Sequence, residues 1–152
     1  MPSTDVINIL MADDDLDDCH FFERALKKIP IATKLSILHD GEQLMDHLLK
    51  NKSKVPNVLF LDINMPRKNG YECLQEIKGN KDLADFPIVM YSTSLKDAMV
   101  DMLYEEGAHC YLRKCDFPDL VKYLQLILTM LHGNSLPRTS KAQFVLNETR
   151  VT

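Results

Sequence analysis

Short apolar runs alternate along this chain with longer segments in which apolar residues recur every three or four positions. Five runs read as strands: Ile7–Ala12, Lys34–Leu38, Asn57–Asp62, Pro87–Ser92 and His109–Lys114. Five segments between and after them read as helices, over about 16–28, 43–50, 71–78, 96–106 and 117–131. The last is the clearest, with Leu120, Leu124, Ile127 and Leu131 on one stripe, Asp116 as N-cap, Asp119 in the first turn, and Gly133 and Pro137 beyond its end. In the fourth, Leu95, Ala98, Met99, Met102 and Leu103 form a predicted core stripe, with Val100 and Tyr104 outside it. Strict alternation of strand and helix predicts an α/β domain on a parallel sheet. The three most apolar strands belong in its middle, whereas the one opening with Lys34 belongs at an edge. The pattern supports a domain over residues 1–132 and a polar tail over 133–152, with no effector domain in so short a tail.

Composition narrows the partners. At 152 residues the chain can bury a real core, and its 45% hydrophobic and 26% charged content is that of an ordinary globular protein. A net charge of -4 and no basic stripe argue against nucleic acid. No signal-peptide pattern is present, and the apolar stretch Leu120–Leu131 is too short to span a bilayer. Cys19, Cys73, Cys110 and Cys115 make neither a C-x-x-C pair nor zinc spacing, as expected of thiols in the cytoplasm.

Candidate chemistry sits where four of the strands end. The first runs into "ADDDLDD", placing Asp13 and Asp14 at its tip; the third ends in Asp62, the fourth in Ser92 and the fifth in Lys114. In an open parallel sheet these carboxyl ends form one functional edge. Each residue alone has an ordinary explanation: Asp13 to Asp18 as an acidic loop and helix cap, Ser92 as a cap, Lys114 as a solvated strand end. Together, three carboxylates imply a cation between them, and an all-oxygen set suits Mg²⁺. A lysine and a hydroxyl are apt partners for a phosphoryl group, and a carboxylate can accept one as an aspartyl phosphate, which singles out Asp62. A calcium loop starting at Asp13 fails, because its sixth position is Asp18 and its twelfth Arg24. A dinucleotide fold would need glycines where the acids stand.

The segments "ILMADDD", "LDINMPRKNGYECLQEIK", "PIVMYSTS" and "GAHCYLRK" together resemble the receiver domain of two-component response regulators over about residues 8–131. The phrasing is most similar to small regulators paired with phytochrome-type kinases. The resemblance implies a flavodoxin-like (βα)5 fold with strand order 2-1-3-4-5. It implies Asp62 as phosphoacceptor, with Mg²⁺ held by Asp13, Asp14, Asp62 and the backbone carbonyl of Asn64. Ser92 takes the place of the switch hydroxyl, Tyr111 of the switch aromatic, and Lys114 of the phosphate-binding lysine; Asn64 and Ser94 are placed to influence hydrolysis. A histidine kinase would be the donor, and a protein target or phosphotransfer protein the recipient. A homodimer face is expected on the fourth helix, fifth strand and fifth helix. Such a chain is a phosphoacceptor switch with self-catalysed transfer and autodephosphorylation rather than an enzyme. Cys115 stands where the family has proline after the lysine, and the Lys114–Cys115 bond is expected cis, as it is there. The competing function is a Mg²⁺-dependent phosphohydrolase of small molecules acting through an aspartyl phosphate, disfavoured because Asn64 stands where a second acid would help.

Overall fold

Five parallel strands form one sheet in the order β2-β1-β3-β4-β5 in a computed structural model that describes residues 6–93, 96–133 and 136–147. The strands are β1 (Ile7–Ala12), β2 (Thr33–Leu38), β3 (Val58–Leu61), β4 (Ile88–Ser92) and β5 (Cys110–Arg113). The helices between and after them are α1 (Leu16–Leu26), α2 (Gly41–Lys50), α3 (Gly70–Lys78), α4 (Asp97–Glu105) and α5 (Phe117–His132). Their boundaries lie within two residues of those expected from the apolar pattern.

Successive side chains of a strand point to opposite faces, and each face has its own core. Ile9, Met11, Val58, Phe60, Val89, Tyr91 and Leu112 meet α1 and α5. Leu10, Ala12, Leu59, Leu61, Ile88 and Met90 meet α2, α3 and Leu103 of α4. Each residue of β3 and β4 is buried, while β2 alternates between half-buried and exposed, as an edge strand should. Short polar side chains start the helices. Asp15 accepts from Asp18 N at 3.1 Å, Asp40 from Gln43 N at 2.8 Å, Asp116 from Asp119 N at 3.1 Å, and Asn69 and Glu72 form a reciprocal capping box. Gly70 opens α3 directly against the end of β3, where a Cβ would collide with the carbonyl oxygen of Asp62. Only glycine lets the two backbones approach so closely.

Three expectations change. The Lys114–Cys115 bond is trans, since no cis bond occurs among the described residues. Lys114 N still donates to Ser92 O at 2.9 Å, so the strand ladder itself carries the lysine to the pocket and the roughly 3 kcal/mol that a non-proline cis bond costs is avoided. On α4, Leu103 is the buried residue, with Met99, Val100 and Tyr104 packed against the core, whereas Ala98 and Met102 are exposed. Leu95 lies outside the described residues. The stripe is therefore rotated towards Val100 and Tyr104, because Tyr104 finds a partner in Phe144.

Phe144 belongs to the third change. Residues 136–147 do not hang free as a polar tail but run along the outer edge of β5. Thr139 N donates to His109 O at 3.2 Å, Tyr111 N to Phe144 O at 2.9 Å, and Leu146 N to Tyr111 O at 2.9 Å. The Asn147 amide pairs with both backbone groups of Arg113, at 2.9 and 2.8 Å. Arg138 stacks 4.1 Å from the Tyr104 ring centroid and donates to the carbonyls of Ala108 and Tyr104. Phe144, 1% exposed, packs edge-on against Tyr104 and Tyr111. An exposed strand edge has unpaired N–H and C=O groups, and this segment satisfies those of β5. Phe144→Ala should destabilise the protein by about 3–5 kcal/mol, the range for a buried phenylalanine, measured by urea unfolding; a loosely attached tail would change it by less than about 0.5 kcal/mol.

Candidate functional site

The carboxyl ends of β1, β3, β4 and β5 converge on one acidic pocket. Asp13 N donates to Leu38 O and Asp62 N to Ala12 O, each at 3.0 Å, so both acids extend the ladder by one residue and are placed by backbone. Carboxylate oxygens of Asp13, Asp14 and Asp62 lie within 4.8 Å of one another. Asp13 and Asp62 are buried and Asp14 is exposed, which leaves the group open on one side. Asp13 is braced by Asp15 N, which donates to its Oδ1 at 3.0 Å, and by a 3.1 Å contact between its carbonyl and His39 Nδ1.

Lys114 crosses this group from β5. Its Nζ is 2.7 Å from Asp13 Oδ2, 2.7 Å from Asp18 Oδ2 and 3.7 Å from Asp62 Oδ2, and lies 5.3 Å from the Tyr91 ring centroid. Burial works against the ammonium charge, but the hydrogen bonds to Asp13 and Asp18 and the attraction of Asp62 outweigh it, so the Lys114 pKa is raised. Asp62 is pushed up to about 6, first by burial and then by the neighbouring charge of Asp13, with Lys114 pulling the other way. A carboxylate held at such a cost is one that a cation would relieve.

Ser92 ends β4 fully buried, and its hydroxyl makes no hydrogen bond among the described residues. Such an atom ordinarily has a partner, and here the pocket beside Asp62 is where a ligand oxygen could supply it. Tyr111 is buried on β5, level with Met90, with its ring against Phe144. Asn64 is exposed on the loop after Asp62, and Ser94 lies outside the described residues. Two residues of the pocket escaped the sequence reading. Asp18 is one acid among several in an acidic run, and the first turn of α1 brings it to Lys114 beside Asp13. Tyr91 is a core residue of β4 whose ring also flanks the ammonium.

The donor set of Asp13, Asp14 and Asp62 fits a hard divalent cation, with oxygen ligands and an open side for water; Asp18, paired with Lys114, adds a fourth carboxylate nearby. No helix among the described residues is long and apolar enough to cross a membrane.

Comparison with known proteins agrees with this geometry. The profile of the response regulator receiver domain matches residues 9–125. The response regulator Rcp1 of Synechocystis sp. (strain ATCC 27184 / PCC 6803 / Kazusa) is 38% identical over 122 residues, covering 77% of this chain and 83% of its own. The crystal structure of the Mn²⁺-bound form of Rcp1 superposes with a TM-score of 0.76 at 34% identity, over 87% of this chain and 99% of that one. That of the phosphorylated cyanobacterial phytochrome response regulator RcpA gives 0.78 at 23% identity, over 89% and 100%, a likeness of fold. None of this supports the phosphohydrolase alternative.

The raised Asp62 pKa predicts a pH dependence. An acid whose pKa is higher folded than unfolded contributes stability that is complete below about pH 4 and lost as the pH rises through about 6. In metal-free solution at pH 7, Asp62→Asn should be the more stable protein by on the order of 2 kcal/mol, and the difference should vanish near pH 4. Adding Mg²⁺ should narrow it by stabilising the natural chain; paired thermal unfolding curves at the two pH values check both.

Proposed function

This chain belongs to the response regulator receiver domain family, and we propose that Asp62 is its phosphoacceptor. Receiver domains are phosphoacceptor switches that bind a divalent metal at an acidic pocket and work between histidine kinases and downstream targets. The observation that carries the assignment is the placing of a buried, charge-destabilised carboxylate between a lysine 3.7 Å away and the cluster formed with Asp13 and Asp14.

The cation we assign is Mg²⁺, which Asp13, Asp14, Asp62 and the backbone carbonyl of Asn64 would hold and which, when bound, neutralises oxygens of the transferring phosphoryl group. The Asp62 carboxylate attacks the phosphorus of a kinase phosphohistidine in line. The new P–O bond forms as the P–N bond breaks, and the freed imidazole takes a proton from solvent. Lys114 then neutralises one phosphoryl oxygen and the Ser92 hydroxyl donates to another, gaining the hydrogen bond it lacks. Ser92 pairs with Arg113 on β5, and Tyr111 lies two residues before it on the same face, so moving Ser92 changes the packing at Tyr111. Phosphorylation can shift the resting and active states only by such differential contacts. Water attacking the aspartyl phosphate releases inorganic phosphate and returns the carboxylate.

We place output on the α4–β5–α5 face, through a protein target, a phosphotransfer protein or a second copy, in the cytoplasm. Val100 and Tyr104 are half-buried against the core, so charging them would unfold the region rather than probe a surface. Met102, 41% exposed on α4, is the better probe.

Two experiments test the reading. Incubated with acetyl phosphate and Mg²⁺, the natural chain should gain one acid-labile phosphate by intact-mass measurement and Asp62→Asn none; equal adducts on both would remove Asp62 from its role. Met102→Glu should leave the melting temperature within about 2 °C, as a surface change does, while weakening self-association in sedimentation or binding to a target.

A further inference from the structure

Lys114 holds two carboxylates equally closely, and only one belongs to the metal cluster. Its Nζ is 2.7 Å from both Asp13 Oδ2 and Asp18 Oδ2. Asp13 is a member of the group with Asp14 and Asp62 that would hold a cation; Asp18 is not. An ammonium bonded to Asp13 opposes a divalent cation twice, by occupying a ligand oxygen and by like-charge repulsion. For the cation to enter, Lys114 must give up Asp13 or share it. Without another acceptor the ammonium, 89% buried at its side chain, would be left with only carboxylates that the cation also needs.

Asp18 is built to be that acceptor. It stands in the first turn of α1, where its own N–H is held by the Asp15 cap at 3.1 Å, so its backbone position is set by the helix start. Its side chain is 35% exposed, which keeps its charge inexpensive, while the end that meets Lys114 faces the pocket. The Tyr91 ring lies 5.3 Å from the same ammonium, so the aliphatic stem and the charge are supported from the sheet side. Asp18 stands outside the group of Asp13, Asp14 and Asp62.

We propose that Asp18 is a positioning residue that anchors Lys114. It lets the lysine yield Asp13 to a divalent cation while keeping the ammonium beside Asp62, where a phosphoryl oxygen will need it. The purpose rests on Asp62 being the acceptor; the test does not, because it reads cation binding alone.

The test is a double-mutant cycle on Mg²⁺ affinity, measured by calorimetry with the full chain at pH 7 and constant ionic strength. Asp18→Asn should weaken Mg²⁺ binding about tenfold with Lys114 present and no more than about twofold in the Lys114→Ala background, a coupling within the range of contacting pairs. Lys114→Ala alone should tighten binding, and Asp18→Glu should restore it to within about threefold. Equal losses in both backgrounds would reduce Asp18 to a distant negative charge and overturn the proposal, as would no loss in either. Should Lys114→Ala fail to fold, Lys114→Gln closes the same cycle. If Asp62→Asn still took up phosphate while the cycle showed coupling, the acceptor assignment would fail and the anchoring of Lys114 would stand.

Discussion

One unbalanced charge cluster organises this molecule's chemistry: a single ammonium, Lys114, set among four carboxylates at the end of a parallel sheet. Like charges at this spacing repel, and burial raises the cost of each. The lysine offsets part of that cost, and the remainder appears as the raised pKa of Asp62. A divalent cation would relieve it further. Excess negative charge therefore favours a cation in the pocket.

Holding such a cluster requires a rigid frame. Asp13 and Asp62 hang from the ends of neighbouring strands and each continues the backbone ladder. Their strands are fixed by separate cores on the two faces, α1 and α5 on one, α2, α3 and α4 on the other. Repulsion among the acids is thus opposed by packing on both sides of the sheet. Gly70 completes the frame by letting α3 start against the carbonyl of Asp62.

Beside the pocket lie Ser92 and the adjoining strand β5. Ser92 has no hydrogen bond among the described residues, and Tyr111, one strand over, is enclosed by Phe144 of the C-terminal segment. That segment also bonds the backbone of β5 on both sides of Tyr111 and holds the end of α4 through Arg138. Any change at Ser92 that repacks Tyr111 therefore meets an element added to the β5 edge, and the packing offers discrete arrangements rather than continuous give. The α4–β5–α5 face is consequently composite, with residues 136–147 forming part of it.

How much of this was legible beforehand follows from what each feature depends on. The alternation of strand and helix, the edge position of β2, the caps at Asp116 and the gathering of Asp13, Asp14, Asp62, Ser92 and Lys114 at one edge all depend on local periodicity and strand ends. A parallel sheet makes strand ends neighbours whatever the side chains between them, so the fold and these five residues of the pocket follow from local pattern alone, while Asp18 and Tyr91 do not. Asp18 as partner of Lys114, separated from it by 96 residues, depends on how α1 packs beside β5, and nothing in the run "ADDDLDD" distinguishes it from Asp17. The rotated face of α4 and the docked segment around Phe144 depend on each other across 40 residues, Tyr104 having no visible reason to turn inward until Phe144 is beside it. The trans bond at Cys115 depends on the β4–β5 ladder delivering Lys114 without a cis turn. Those four features were decided by tertiary structure, because each is a contact between distant segments whose energy exists only once the sheet has brought them together.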